Sequence, residues 1–371
     1  MSMSRYPAEF VFPGHPDKLS DAIADGLVAA ATALEARALV GVEVAVHRDR
    51  VFVTGRIAAE GAESIDVKGI VRDVYGSAGY GDSWSPRPEA LRIETDLCLG
   101  PLEDGESEGR VMSDDQAICV GYAIDRPETL HLPVEQWLVA KLARRLHRLR
   151  NELPQLGLGP DGKVLVVVAE EGEGYGLEEF SCSLQQRADA DAIALHRAVR
   201  LALQDQMAIL ARACPGLSSG IPEQLTVNGA GAFDVGGPWG DNGLSGKKLV
   251  MDAYGPRVPI GGGAWSGKDF HKADRAGGLF ARRLAKLIVA IGQVREATVT
   301  VAYEPGDRSA RLLRVTSDRP TNRLGERCLA LLDADIAASG SSWREPGSLI
   351  EIARWGHFQD AALPWEVLGR M

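Results

Sequence analysis

The sequence predicts an α/β (α+β) protein made of three similar two-layer parts, each laying two strands against a helix. Pairs of strand-like runs followed by a helical run recur near residues 40–75, 164–213 and 297–336, without any residue-level repeat. A length of 371 residues exceeds one ordinary core. Composition also shifts near 100–114 and 220–236. An apolar content of 45% and a charged content of 25% are those of a soluble globular chain. No apolar run is long enough to span a bilayer, and MSMSRYPAEF lacks a signal-peptide pattern, so a cytoplasmic protein without membrane contact is expected. The formal charge of −10 argues against broad nucleic-acid binding. It leaves room for a phosphate ligand, because a local lysine cluster sets the field of its own pocket. Cys98, Cys119, Cys182, Cys214 and Cys328 are scattered with no CxxC pair, as expected of reduced thiols rather than a disulfide framework or a zinc site.

Residues 5–14 form a short apolar segment closed by Pro-Gly. Leu19, Ile23 and Leu27 then mark one face of a helix, with Pro16 suited to its first turn. His15, Asp17 and Lys18 cluster at its N-terminus, either as an anion or metal-phosphate site or as simple capping by Asp17. Val40–His47 and Val51–Ala58 alternate as strands and place Glu43 among valines. Ile65–Tyr75 reads as an amphipathic helix, and Tyr75–Pro88 as a loop. Arg110–Asp125 is an acidic turn entering an apolar segment. Val134–Leu149 is a helix whose Lys141, Arg144, Arg145 and Arg148 suggest a solvated face. Gly159–Lys163 reads as a tight turn before a strand over Val164–Ala169, paired with Phe180–Gln185. Asp189–Ala213 and Asp274–Ala290 are helical, Ala297–Tyr303 and Ala310–Thr316 are strands, and Arg323–Ile336 is a helix.

The stretch Gly236–Asp274 is the functional candidate. Its glycines interleave with Lys247, Lys248, Lys268 and Lys272, and it also holds Asp241, Asp252, Asp269 and Asp274. Glycine lets backbone N–H groups approach an anion, lysines add point charges suited to phosphate, and aspartates suit the hard cation a polyphosphate carries. The reading is a polyphosphate site; the alternative is a flexible loop with solvated charges.

The segments GHPDKLSDAIADG, DQAICVGYA, GPDGK, GGPWGDNGLSGKKLVMDAYG, GGGAWSGKD and KADR resemble, in order and spacing, those of the S-adenosylmethionine synthetase (methionine adenosyltransferase) family. GHF at 356–358 and LPWE at 363–366 resemble its C-terminus, so the likeness covers essentially the whole chain. It implies three α/β domains with pseudo-threefold symmetry, here 1–105, 106–235 and 236–371. It implies a homodimer with sites between subunits, with dimer against tetramer left open. The implied reaction is attack of methionine sulfur on C5′ of ATP, with triphosphate expelled and then hydrolysed to pyrophosphate and phosphate. Two Mg²⁺ ions and a K⁺ are implied cofactors.

Matched motif by motif, the resemblance places His15 near the leaving oxygen and Glu9 near the nucleotide. Asp17 and Asp274 correspond to magnesium ligands, and Glu43 to the potassium-linked glutamate. Lys163, Lys248 and Lys268 match phosphate-contacting lysines, and Lys247 stands where arginine is usual. Asp115 and Asp161 fall in motifs lining the adenosine, Phe233 where an aromatic stacks on adenine, and Asp241 and Lys272 where the amino-acid end of methionine is held. Three segments depart from the pattern. Val53-Thr54-Gly55-Arg56-Ile57 puts a base where an acid meets the methionine ammonium, the gating loop is rewritten over Leu97–Asp114, and Pro13 replaces a glutamate. Two readings of Arg56 follow: it turns outward or pairs with an acid such as Glu43, or it receives an acceptor that carries an extra carboxylate or lacks the ammonium.

A sulfur nucleophile needs no general base, so catalysis would rest on in-line positioning and on stabilising charge on the departing triphosphate. Two rivals stand beside this reading. Gly262–Lys268 is a near-miss P-loop with Asp269 where Ser or Thr should hold magnesium. The chain could also be a nucleotide-binding regulator that makes no product.

Overall fold

One order of elements, strand, helix, two strands, helix, strand, runs through the chain twice and begins a third time. The structure, a computed structural model, describes residues 3–321 and 323–368. The first pass is β1 (Ser4–Val11), α1 (Pro16–Leu34), β2 (Leu39–His47), β3 (Arg50–Ala58), α2 (Val67–Ala78) and β4 (Arg92–Gly100). The second is β5 (Ala117–Ile124), α3 (Val134–Glu152), β6 (Leu158–Glu171), β7 (Gly174–Gln186), α4 (Ala192–Ala213) and β8 (Thr226–Val227). The third is β9 (Gly243–Leu244), α5 (Leu249–Asp252), α6 (Ala273–Gly292), β10 (Glu296–Tyr303), β11 (Arg311–Ser317) and α7 (Leu324–Leu329). Helices α8 (Ile336–Trp343) and α9 (Leu349–Trp355) follow.

Three sheets result, ordered β4-β3-β2-β9, β1-β6-β7-β8 and β11-β10-β5. Each takes the first strand of a different pass: β9 lies antiparallel on β2, β1 on β6, and β5 on β10. The exchange is cyclic, which is how one α/β plan is repeated with pseudo-threefold symmetry inside one chain. Among the described residues no helix is long and apolar enough to cross a membrane. All five cysteines are free thiols.

Alternation drives the strands: Val40, Val42, Val44 and Val46 are buried, while Glu43 and His47 face out from the same strand. Helix α1 packs between β2 and β9 on one side and α2 and α9 on others. Its first turns are therefore buried all round, Asp17, Lys18, Asp21 and Asp25 included. Buried charges survive only when paired and hydrogen-bonded, and their pairing shapes the site.

Several expected elements change. The Gly159–Lys163 segment is no turn but part of β6, where Lys163 pairs with Val11 of β1 and Ser183 of β7. Its Gly and Pro mark an irregularity in the ladder between Leu158 and Gly162, a bulge rather than a reversal. The helix expected over Arg323–Ile336 is two: α7 ends at Leu329, and α8 starts after Asp335, whose side chain accepts from Ala337 N–H at 2.8 Å. The basic face of α3 is not wholly solvated, because Arg144 stacks 4.8 Å from the Trp355 ring of α9.

Candidate active site

The N-terminus of α1 begins the site. His15 is its N-cap, and Nδ1 accepts from the Asp17 backbone N–H at 3.2 Å. The cap is thus the histidine and not Asp17. With Nδ1 accepting, the proton of the neutral ring sits on Nε2, which is left as a donor. Burial lowers the His15 pKa to about 4, Lys248 and Lys163 push the same way, and Asp17 opposes, so the ring is neutral at pH 7.

Asp17 turns instead towards the glycine-rich stretch. Its Oδ1 accepts from Leu244 N–H at 3.0 Å, Lys248 Nζ donates to Oδ2 at 2.5 Å, and Lys247 Nζ lies at 3.6 Å. Burial alone would raise this carboxyl, but the Lys248 and Leu244 hydrogen bonds hold it below its ordinary value. One and two turns further along α1, Asp21 accepts from Gly246 N–H at 2.7 Å and Asp25 from Gly267 N–H at 3.0 Å. Asp25 also takes both guanidinium nitrogens of Arg275, at 2.7 and 3.0 Å. Lys18 is fully buried on Asp252 and on Ala353 O, the latter at 2.8 Å. Gly267 must be glycine: φ is +86°, and a Cβ would lie 2.3 Å from Val42 O.

Beside His15 opens a cavity of about 360 Å³ lined by His15, Asp161, Lys163, Asn228, Phe233 and Asp241 among others. That size suits a small ligand. Lys163 Nζ lies 2.5 Å from Glu9 Oε2 on the neighbouring strand β1. Asp161 is buried with Oδ2 accepting from Gly237 N–H at 2.7 Å; burial pushes its pKa up to about 6. Phe233 supplies an aromatic wall, and the exposed Asp241 a carboxylate whose Oδ1 accepts from Asn242 N–H.

A second group lies at the other end of the α1 ladder. Lys268 Nζ is 2.5 Å from Asp274 Oδ2, and Lys272 donates to Asp114. Asp274 and Gly263 line a second cavity of about 710 Å³ with Gln116, Ile118, Tyr303 and Arg311. The two cavities share no lining residue. Asp241 and Lys272, both expected at the amino-acid end of an acceptor, therefore belong to different groups. Asp115 is exposed and lines neither cavity; its Oδ1 accepts from Gln116 N–H at 2.7 Å. Glu43 is exposed on the outer face of β2, accepting from Ser245 Oγ at 2.6 Å.

Arg56 does not pair with Glu43. Its Nε and Nη2 grip Glu106 at 3.2 and 3.1 Å, Nη2 donates to Pro101 O at 3.0 Å, and Glu103 lies at 3.3 Å. The guanidinium is spent on the loop after β4. Arg110 anchors the same loop: wholly buried, it donates to Ala38 O at 3.0 Å and Asp269 Oδ1 at 2.8 Å. Gly55, just before Arg56, has φ +130°, and a Cβ there would meet Gly41 O at 2.1 Å.

Two acids of the glycine-rich stretch are not free for a cation. Asp252 is buried on Lys18, and Asp269 is occupied by Arg110, Val40 N–H and His271 N–H. Sequence reasoning missed Asp21, Asp25 and the partner of Asp25, Arg275. The signal was present in the four-residue spacing of Asp17, Asp21 and Asp25, which puts three acids on one helical stripe.

Known proteins are similar throughout. The family model described as "S-adenosylmethionine synthetase, N-terminal domain" matches residues 4–95, and that of the C-terminal domain matches residues 235–367. The S-adenosylmethionine synthase of Thermus thermophilus is 33% identical, over 98% of this chain and 96% of its own. That of Deinococcus radiodurans is 32% identical over 98% and 95%, and that of Synechococcus sp. (strain RCC307) 30% over 98% and 97%.

Proposed function

The chain belongs to the S-adenosylmethionine synthetase family, ATP-using enzymes, and from that premise we propose that it makes S-adenosylmethionine from ATP and methionine. The observation that carries this reading is the first cavity, where His15, Asp161, Lys163, Phe233 and Asp241 converge from separate segments, with Asp17, Lys247 and Lys248 alongside. Phe233 stacks on the adenine, Asp161 faces the ribose, and the polyphosphate lies towards Lys163, Lys247 and Lys248.

The methionine sulfur lone pair attacks C5′; the C5′–O bond breaks, and its electron pair leaves on the triphosphate. The thioether carries no proton to remove, so the chain's task is to hold the line of attack and to neutralise the leaving group. The His15 Nε2–H donates to the departing oxygen without itself being charged. Lys163, Lys248 and Lys268 supply ammonium groups to the phosphates. Water then cleaves the triphosphate to pyrophosphate and phosphate.

The donor chemistry of Asp17 and Asp274 fits Mg²⁺. Both are hard carboxylates, held here by Lys248 and Lys268, whose ammonium groups would turn to the phosphates when an ion takes their place. Mg²⁺ on a polyphosphate commonly takes one or two protein carboxylates. Asp17 and Asp274 would hold the two ions, which when bound lower the charge of the triphosphate. Glu43, with the Ser245 hydroxyl on it, offers the oxygen donors a K⁺ takes.

In one chain, Asp17 and Asp25 stand about 12 Å apart along α1, and the two groups of lysines part with them. This supports a homodimer in which Lys268, Lys272 and Asp274 of a second copy complete each cavity. Methionine is favoured over an anionic acceptor because Arg56 already has Glu106 and Glu103 as partners. The test is a steady-state assay with ATP, Mg²⁺, K⁺ and methionine. Saturable S-adenosylmethionine formation at ordinary methionine concentrations supports the proposal. Turnover only with another acceptor, or binding of ATP with no product from any, overturns it.

A further inference from the structure

We propose that Asp21 and Asp25, which line neither cavity, are positioning residues: through the N–H groups of Gly246 and Gly267 they aim Lys247, Lys248 and Lys268 at the phosphates. The proposal rests on the reading of those lysines as phosphate contacts. Three carboxylates at four-residue spacing make a ladder on one stripe of α1, with steps of about 6 Å. Each step holds one backbone amide of the glycine-rich stretch: Asp17 takes Leu244, Asp21 takes Gly246, and Asp25 takes Gly267. A lysine follows the second and third amides directly in the chain, so displacing either amide displaces an ammonium group. Asp269 holds His271 N–H from within the stretch, but the N–H groups of Gly246 and Gly267 are held from α1. The first turns of α1, buried on all sides, give the ladder a rigid base.

The charges support the same assignment. Asp17 has Lys248 and Lys247, Asp25 has Arg275, and Asp252 shares Lys18 with Asp21. Asp21 has the weakest partner, Lys18 at 4.0 Å, and its Oδ2 is buried with no hydrogen-bond partner among the described residues. Burial, reinforced by Asp252 and Asp25 and opposed by Lys18 and Gly246 N–H, pushes its pKa up to about 8. A neutral Asp21 still accepts the Gly246 N–H through Oδ1. Asparagine has the same shape, the same acceptor and no charge, so it reproduces what Asp21 does. Alanine removes the acceptor and leaves the amide unheld.

The experiment compares Asp21→Asn and Asp21→Ala with wild type in kcat, KM for ATP and amide exchange of the segment 244–248. Asp21→Asn is expected to stay within about threefold of wild type. Asp21→Ala is expected to lose about 100-fold in kcat, as misplacement of a reacting array does, with KM changed less and the Gly246 amide exchanging faster. If alanine does not fold, Asp21→Leu, which fills the volume without an acceptor, is measured in its place. Equal losses in Asn and Ala, or wild-type kcat in Ala, overturn the proposal. If wild type itself makes no S-adenosylmethionine, it is the functional reading that fails; the amide exchange at Gly246 then still decides whether Asp21 holds the loop, and unchanged exchange refutes it.

Discussion

Removing the Arg56 clamp releases the loop between β4 and β5 more than it weakens the fold. Arg56 and Glu106 meet through two hydrogen bonds of 3.2 and 3.1 Å, with side chains 22% and 24% exposed. Such a pair is screened by nearby water, so its coupling is about 1 kcal/mol at low salt, the upper end for partly exposed ion pairs. Arg56→Ala and Glu106→Ala should each cost about that much, and the double variant little more than either alone. Urea unfolding of the four proteins gives the coupling energy, and amide exchange over residues 101–116 shows where it acts. Exchange there should rise about fivefold for a 1 kcal/mol loss while α1 and the sheets are unchanged. Raising salt to 1 M should shrink the coupling, because the Debye length falls to about 3 Å. Additive single-variant losses, or exchange in the loop that does not respond, would refute the clamp. The assignment of Arg56 to the loop instead of an anionic acceptor would fall with it.

Other outcomes follow from the same geometry. Asp25→Ala leaves fully buried Arg275 without its bidentate partner, and urea unfolding should register a loss of about 3–5 kcal/mol. His15→Ala should lower kcat about 100-fold by removing one donor to the leaving oxygen. His15 is depressed from 6.5 to about 4, so its contribution to stability is present above 6.5 and is lost as pH falls towards 4. The wild-type rate should accordingly show no limb near 6.5 from this residue, read from kcat across pH 5 to 9. Glu135 is buried, neither oxygen has a hydrogen bond among the described residues, and burial raises its pKa from 4.5 to about 7. Its contribution is present below 4.5 and lost as pH rises through 7, so Glu135→Gln should flatten that decline in thermal melts between pH 5 and 8.

Much of the layered plan was legible because strands and helices here follow simple periods, as in Val40–Val46 and Leu19–Leu27. What could not be read was which strand joins which sheet. β1, β5 and β9 pair with partners in other passes, and such long-range pairing leaves no local trace. The GPDGK segment misled for a related reason: its glycines and proline are turn formers, and only pairing with β1 and β7 keeps them extended. At the site, the residue types suggested phosphate and cation chemistry, but not which charges were already taken. Asp252 and Asp269 look like cation ligands in sequence, and their buried partners Lys18 and Arg110 lie far away in the chain. Arg56 is the mirror case, since its acid comes from a loop whose sequence gives no sign of where it folds back.

The most direct test of the account is the fate of the 5′ bridging oxygen of ATP. With that atom carrying ¹⁸O, turnover with methionine should deliver all of the label to pyrophosphate or phosphate and none to the adenosyl product. Label retained on an adenosine-containing product, such as ADP, would mean that phosphorus–oxygen scission occurs instead, and would contradict attack at C5′.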